Sequence, residues 1–178
     1  MSHSVYMGGS RHLSQDHPVY GHIAPVLRSV LASGCAVHVG CQSGADQTIL
    51  LNGLRAPLSL FVFAVAASLE SAPAFVERAF HAGASVTLAA GGSESTPIKA
   101  RYLLRSIAAF QGCEQAVFFS PGEGSLAVAR ECVRSGLPVF AFGSQPARVP
   151  SVSGQWVKSS FMGFSCWQWA APTQASLF

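Results

Sequence analysis

The sequence predicts an α/β fold, a Rossmann-like three-layer domain around a mostly parallel sheet of about six strands. Three observations predict it. Short runs that are almost wholly apolar, such as residues 5–7, 36–39 and 116–119, read as strands buried on both faces. Segments with helical spacing of apolar residues alternate with them. Glycine-rich loops follow several of the strands, as they do in sheets covered by helices on both sides.

The elements follow in order. Residues 5–7 form a first strand that runs into Gly8, Gly9, Ser10 and Arg11. From 18 to 32, Val19, Ile23, Val26, Leu27, Val30 and Leu31 recur at helical spacing, and Gly34 is a C-terminal stop. Residues 36–39 form a second strand, followed by the loop 40–46 and a helix over 47–54. A third strand covers 58–64. A short helix over 73–81 ends at Gly83, and 85–89 is a fourth strand. Thr96 is expected to cap a helix whose first turn holds Pro97, a favoured place for proline. That helix runs to about 110. The fifth strand, 116–119, enters the loop 120–125. A helix over 126–135 stops at Gly136, and 138–142 is a sixth strand.

Residues 143–154 are rich in Pro, Ser and Gly and read as a linker. Trp156, Phe161, Phe164, Trp167 and Trp169 then mark a terminal hairpin or flap, which is expected to close over the pocket. The expected division is a Rossmann domain over 1–143, a linker over 144–155, and an aromatic appendage over 156–178 with a free tail.

Composition narrows the function. The 178 residues are 49% hydrophobic and only 11% charged, which supplies a core for one domain. The formal net charge of +3 is too weak to imply nucleic acid by itself. Five cysteines, an odd count without a CxxC pair, argue against a disulfide framework and for a reducing compartment. Six histidines form no HxxxH pair and join no cysteine cluster, so no metal site is expected. Residues 1–11 lack a signal pattern. The longest apolar run, 58–67, is about half of the ~20 residues a membrane helix needs. A soluble, cytoplasmic protein is expected.

The chemistry is expected at three loops that follow strands and precede helices: 8–11, 40–46 and 121–125. In an open parallel sheet such loops gather at the carboxyl edge, where ligands bind. Glycine lets backbone N–H groups approach a phosphate, and a helix N-terminus adds partial positive charge. The candidate ligand-binding residues are Gly8, Gly9, Ser10, Arg11, Gly40, Ser43, Gly44, Asp46, Lys99, Arg101, Pro121, Gly122, Glu123, Gly124 and Ser125. Serine hydroxyls can donate to a phosphate, and Arg11 offers a charged fork. Asp46 has two readings, a helix-start charge or a contact to a ribose hydroxyl. Arg101 and Arg105 lie four apart on one helix face.

These motifs, taken in order, resemble the SLOG superfamily. Its groups include DNA-processing protein A (Smf), the Lonely Guy phosphoribohydrolases and YspA-like proteins. The resemblance rests on Gly9-Ser10-Arg11, on the segment from Gly40 to Asp46, on Pro97-Ile98-Lys99-Ala100-Arg101, on Gly122-Glu123-Gly124-Ser125, and on the strand from Leu137 to Ala141. It covers about residues 5–143. It implies binding of a nucleotide or an NAD- or ADP-ribose-derived ligand, sensed or sequestered in the glycine loops. Two alternatives stand beside it. One is a hydrolase of nucleotide N-glycosidic bonds, a nucleoside 5′-monophosphate phosphoribohydrolase, with Glu123, Asp46 or Glu94 as acid or base. The Lonely Guy motif Pro-Gly-Gly-x-Gly-Thr-x-x-Glu ends in a catalytic acid, however, and here Ala127 or Val128 stands in that place. The other alternative is a single-stranded DNA binder. Binding rather than turnover is the expectation, and self-association is expected from the apolar composition and from the resemblance.

The last residues carry a separate signal. Gln174-Ala175-Ser176-Leu177-Phe178 is similar to the bacterial sliding-clamp-binding pentapeptide, in which Gln174, Ser176, Leu177 and Phe178 would make the contacts. A tail of this kind places two apolar anchors in a groove and links the protein to DNA metabolism.

Overall fold

A computed structural model describes residues 3–172. The chain begins with a buried strand, β1 (Ser4–Gly9). Helices and strands then alternate as α1 (Tyr20–Ala32), β2 (Ala36–Val39), α2 (Ala45–Gly53), β3 (Leu60–Phe63), α3 (Ala74–His81), β4 (Ser85–Thr87), α4 (Ile98–Phe110), β5 (Gln115–Phe119), α5 (Glu123–Arg134) and β6 (Val139–Phe142). A hairpin of β7 (Gln155–Phe161) and β8 (Phe164–Ala170) follows. The strands form one eight-stranded sheet in the order β4-β3-β2-β1-β5-β6-β8-β7. The first six are parallel, and the hairpin adds antiparallel strands beyond β6.

The alternation of side chains along β1 sorts the core into two layers. Val5 and Met7 face one cluster, with Ile23 and Val26 of α1, Ile49 and Leu50 of α2, and Val76 of α3. Tyr6 faces the other, with Ala109 and Phe110 of α4, Phe118 of β5, and Val128 and Ala129 of α5. Helices thus cover both faces, and β1 is central. From β1 the chain moves outward through β2, β3 and β4. It then returns to β5 on the opposite side. The loops leaving β1 and β5 diverge there, which opens a crevice at the carboxyl edge of the sheet.

Several boundaries differ from the expected ones for physical reasons. α5 starts three residues earlier than the apolar pattern implied, because its first turn holds the exposed Glu123 and Gly124. α2 starts at Ala45, just after Gly44 turns the backbone at φ 78. Thr96 does not cap α4. Pro97 takes the cap position with extended geometry, and Thr96 is held in the preceding turn with its N–H on the Ser93 carbonyl. β4 stops at Thr87, because Ala89 adopts a left-handed φ of 52 and donates its N–H to Ala66.

The aromatic hairpin is present, and it extends the sheet edge rather than closing over the loops. Phe161 packs on Phe140 at 5.0 Å between ring centres, and Trp156 meets Trp169 edge-on at 5.3 Å. Its turn is made by Met162 and Gly163, both with positive φ, as two-residue hairpin turns require. Trp156 Nε1 donates to the Ala147 carbonyl and Trp167 Nε1 to that of Gly143, so the hairpin ties down the connection from β6. All five cysteines are free thiols. Among the described residues no helix is long and apolar enough to cross a membrane, and no group of three metal-ligating side chains is assembled. The clamp-like sequence at 174–178 lies outside the described residues.

Candidate functional site

The crevice between β1 and β5 is a cavity of about 500 Å³, within the size range of small-ligand sites. Its rim is built by loops that lock onto one another through backbone atoms. Ser10 N–H donates to Phe119 O at 3.0 Å, and Ala45 N–H to Ser10 O at 3.0 Å. Gly9 lies so close to β5 that a Cβ there would overlap the Phe119 carbonyl. Gly44 presses against Ser10 and Arg11 in the same way. The Ser125 hydroxyl donates to Gly9 O at 2.8 Å, and Ser43 to Arg11 O at 3.4 Å. These two hydroxyls therefore hold the loops together.

The early start of α5 has a chemical consequence. Gly122 is its extended cap residue, and Glu123, Gly124 and Ser125 form the first turn. Their N–H groups have no intrahelical partner, and all three residues line the cavity. Ser10 and Arg11 stand on the facing loop, and Lys99 projects from the first turn of α4. Unpaired N–H groups, a helix N-terminus and two exposed cations are thus gathered at one end of the cavity, a set of groups that attracts negative charge. Glu123 is exposed at the rim, where a carboxylate is also favourable to the helix end.

The floor is made by Tyr6, Asp46, Arg105 and Phe118. Arg105 Nη1 donates to Asp46 Oδ2 at 3.2 Å, and the two side chains are only 3% and 8% exposed. The Gln42 N–H donates to the same oxygen. Burial pushes the Asp46 carboxyl up from its ordinary value, and Arg105 pulls against that shift. Burial is the largest single influence on Arg105 and opposes its charge, but Asp46, Tyr6 and Cys41 together outweigh it and hold the guanidinium above its ordinary value. Tyr6 is a phenol held far above its ordinary range by burial.

Gly40 makes this arrangement possible, since a Cβ there would occupy the position of the Arg105 guanidinium. Gly8 leaves room at the floor: a Cβ would stand 3.1 Å from the Tyr6 hydroxyl and 3.5 Å from Asp46 Oδ1. The wall beyond is formed by Tyr102, Leu103, Ala127 and Val128. At Ala127 and Val128 it is apolar.

The structure thus brings Gly9, Ser10, Arg11, Asp46, Lys99, Gly122, Glu123, Gly124 and Ser125 around one cavity. It places Gly8 beneath them in β1, and Gly40, Ser43, Gly44 and Pro121 behind the lining. Arg101 is turned away, with Nη2 on the Val65 carbonyl at 2.9 Å, and Gly91 is packed against its backbone. Glu94 is exposed in the loop before α4, outside the lining. Sequence reasoning did not assign Tyr6, Gln42, Tyr102, Arg105 or Ser106 to the site. Arg105 carried a usable signal. It lies four residues before Ala109 in the buried stripe of α4, where a charge needs a partner.

A serine–histidine pair lies nearby. Ser120 follows β5 with φ 47, and its Oγ is 3.3 Å from His17 Nε2. His17 Nδ1 accepts the Val19 N–H at 3.2 Å. The neutral ring therefore carries its proton on Nε2 and donates to Ser120, the wrong tautomer to activate a nucleophile.

No protein-family model and no curated protein sequence matches the chain. Solved structures do. DNA processing protein A from Streptococcus pneumoniae is 18% identical and superposes with a TM-score of 0.63, covering 84% of this chain and 52% of its own. This chain therefore spans about half the length of that protein. DNA processing protein A from Helicobacter pylori, whose structure is described for its single-stranded DNA binding mode, is 17% identical with a TM-score of 0.64, covering 83% of this chain and 67% of its own. By its fold, a mostly parallel sheet between helices with its crevice at β1 and β5, this chain is Rossmann-like and similar to DNA processing protein A.

Proposed function

We propose that the protein binds a nucleotide or a nucleotide-derived molecule by its phosphate, in the cavity between β1 and β5. One observation carries this reading: the first turn of α5, whose three N–H groups have no hydrogen-bond partner among the described residues, lines the cavity together with Ser10, Arg11 and Lys99. The phosphate sits at that helix end, and the rest of the ligand rests on Tyr102, Leu103 and Phe118. Binding is favoured over turnover because neither carboxylate of the lining is both buried and unpaired, as a poised acid or base would be. Asp46 is paired with Arg105, and Glu123 stands exposed at the rim. A thermal-shift panel of nucleosides and their 5′-monophosphates tests the proposal. A monophosphate raises the melting temperature by its binding free energy, its nucleoside does not, and Arg11→Ala reduces the shift. Equal shifts from nucleoside and nucleotide overturn it.

A second reading is that the nucleotide belongs to single-stranded DNA. It is favoured by the fold shared with the Helicobacter pylori protein described as binding such DNA. Oligo-dT titrated at several salt concentrations tests it. DNA held by its phosphates loses affinity with a log–log slope of about −0.7 per phosphate contacted. No binding at low salt ends this reading. The sequence at 174–178 supports a further partner, a bacterial sliding clamp. Replacing Leu177 and Phe178 by alanine removes clamp binding if that reading holds and leaves nucleotide binding intact.

A further inference from the structure

We propose that the cavity selects ribonucleotides, with Asp46 Oδ1 accepting a hydrogen bond from a sugar hydroxyl of the ligand. The inference rests on the phosphate reading of the same cavity and adds the class of sugar.

Asp46 is nine-tenths buried, yet only one of its oxygens is used. Oδ2 receives both Arg105 Nη1 and the Gln42 N–H, and Oδ1 has no hydrogen-bond partner among the described residues. Arg105 is also incompletely paired. Its Nε is sealed away without a partner, and its Nη2 makes no bond within the described residues. An acceptor on Asp46 and a donor on Arg105 are thus left over on two residues that line the same cavity. A phosphate dianion, the main form of a monophosphate at neutral pH, brings no proton to Oδ1. A hydroxyl both donates and accepts, and satisfies the two together.

Position identifies which hydroxyl. Oδ1 faces the space left by the missing side chain of Gly8, and Gly8 adjoins Gly9 at the phosphate end of the cavity. The unit bonded directly to a nucleotide's phosphate is its sugar. The base lies farther on, over the apolar wall of Tyr102, Leu103 and Phe118. The sugar hydroxyls are therefore the groups that reach Asp46. Electrostatics agree: the Arg105 charge cancels that of Asp46, so the carboxylate does not repel a phosphate held at α5.

Calorimetric titration compares the four ribonucleoside 5′-monophosphates with their 2′-deoxy and 2′,3′-dideoxy counterparts and with oligo-dT, whose internal sugars carry no free hydroxyl. The expected result is that at least one ribonucleotide binds roughly ten- to a hundredfold more tightly than both its 2′-deoxy and its 2′,3′-dideoxy counterparts, as loss of a bond to a buried charged acceptor predicts. Gly8→Ala, which fills the space at Oδ1, removes that preference while circular dichroism and the melting temperature report a folded protein. A 2′-deoxynucleotide that binds as tightly as its ribonucleotide overturns the sugar inference and leaves the phosphate reading standing. Oligo-dT binding as tightly as the best ribonucleotide overturns it as well. Failure of every nucleotide to bind removes both.

Discussion

At the scale of single residues, three positions hold the floor together: Gly40 gives passage, Arg105 enters, and Asp46 receives it. Removing one partner of a buried ion pair strands the other. Arg105→Met is therefore expected to cost about 3–5 kcal/mol in chemical denaturation, and Arg105→Met with Asp46→Leu to recover most of that loss. Gly40→Ala is expected to cost about 1–3 kcal/mol by overpacking. This role differs from the one its sequence position suggested, a glycine that cradles phosphate. Spacing along the chain shows a glycine in a loop but not which side chain crosses it from another helix. His38 supplies a pH dependence. Its ring is packed between Phe61 and Phe63, and Nδ1 bonds to the Ala109 carbonyl at 2.7 Å. Burial lowers its pKa from 6.5, with the Ala109 bond opposing. The unfolded chain thus takes up this proton first as pH falls. Stability from His38 is complete above about pH 6.5, declines below it, and levels once the folded ring is protonated. In denaturation curves from pH 8 to 5, His38→Gln is expected to flatten this decline.

At the scale of elements, the strands were the most legible feature, because burial on both faces writes them as apolar runs. Helix starts were less legible where they matter most. The first turn of α5 is exposed and polar, so the apolar pattern begins only at Leu126, whereas the helix begins at Glu123. Those three residues turn a loop into a helix N-terminus. The hairpin was legible from its aromatic residues, but its place was not. Aromatic content marks surface to be buried without saying whether the sheet edge or the cavity mouth will bury it. The chain's three tryptophans all lie in β7 and β8, so intrinsic fluorescence reports on the hairpin alone. Because β8 pairs with β6 and Phe161 packs on Phe140, the fluorescence transition in urea is expected to coincide with that of far-UV circular dichroism. An earlier fluorescence transition would show the hairpin unfolding on its own.

At the scale of the whole molecule, the strand order turns scattered loops into a site. The glycine loops at 8–11 and 121–125 are more than a hundred residues apart, and they meet because β1 pairs with β5. Strand order is a property of long-range pairing that local pattern does not encode, so the loops and a pocket at the carboxyl edge could be named in advance, but not which side chains of other helices would make its floor. The Asp46–Arg105 pair was hidden for the same reason, since its members come from α2 and α4. Charge acts at this scale too. With a net charge of +3 and two exposed cations at the rim, attraction to a polyanion is modest. If oligo-dT binds, it is expected to compete with nucleoside monophosphate for the one cavity rather than to bind beside it, which displacement of a fluorescent oligonucleotide would measure.

The central claim is that the ends of β1 and β5 hold a phosphate. Backbone amide resonances read this directly in a titration of the isotope-labelled protein with nucleoside 5′-monophosphate. Saturable shifts centred on Gly9, Ser10, Arg11, Glu123, Gly124 and Ser125 are the result predicted. Shifts centred elsewhere, on the hairpin or the 143–154 connection, or no saturable shift at all, would contradict the account.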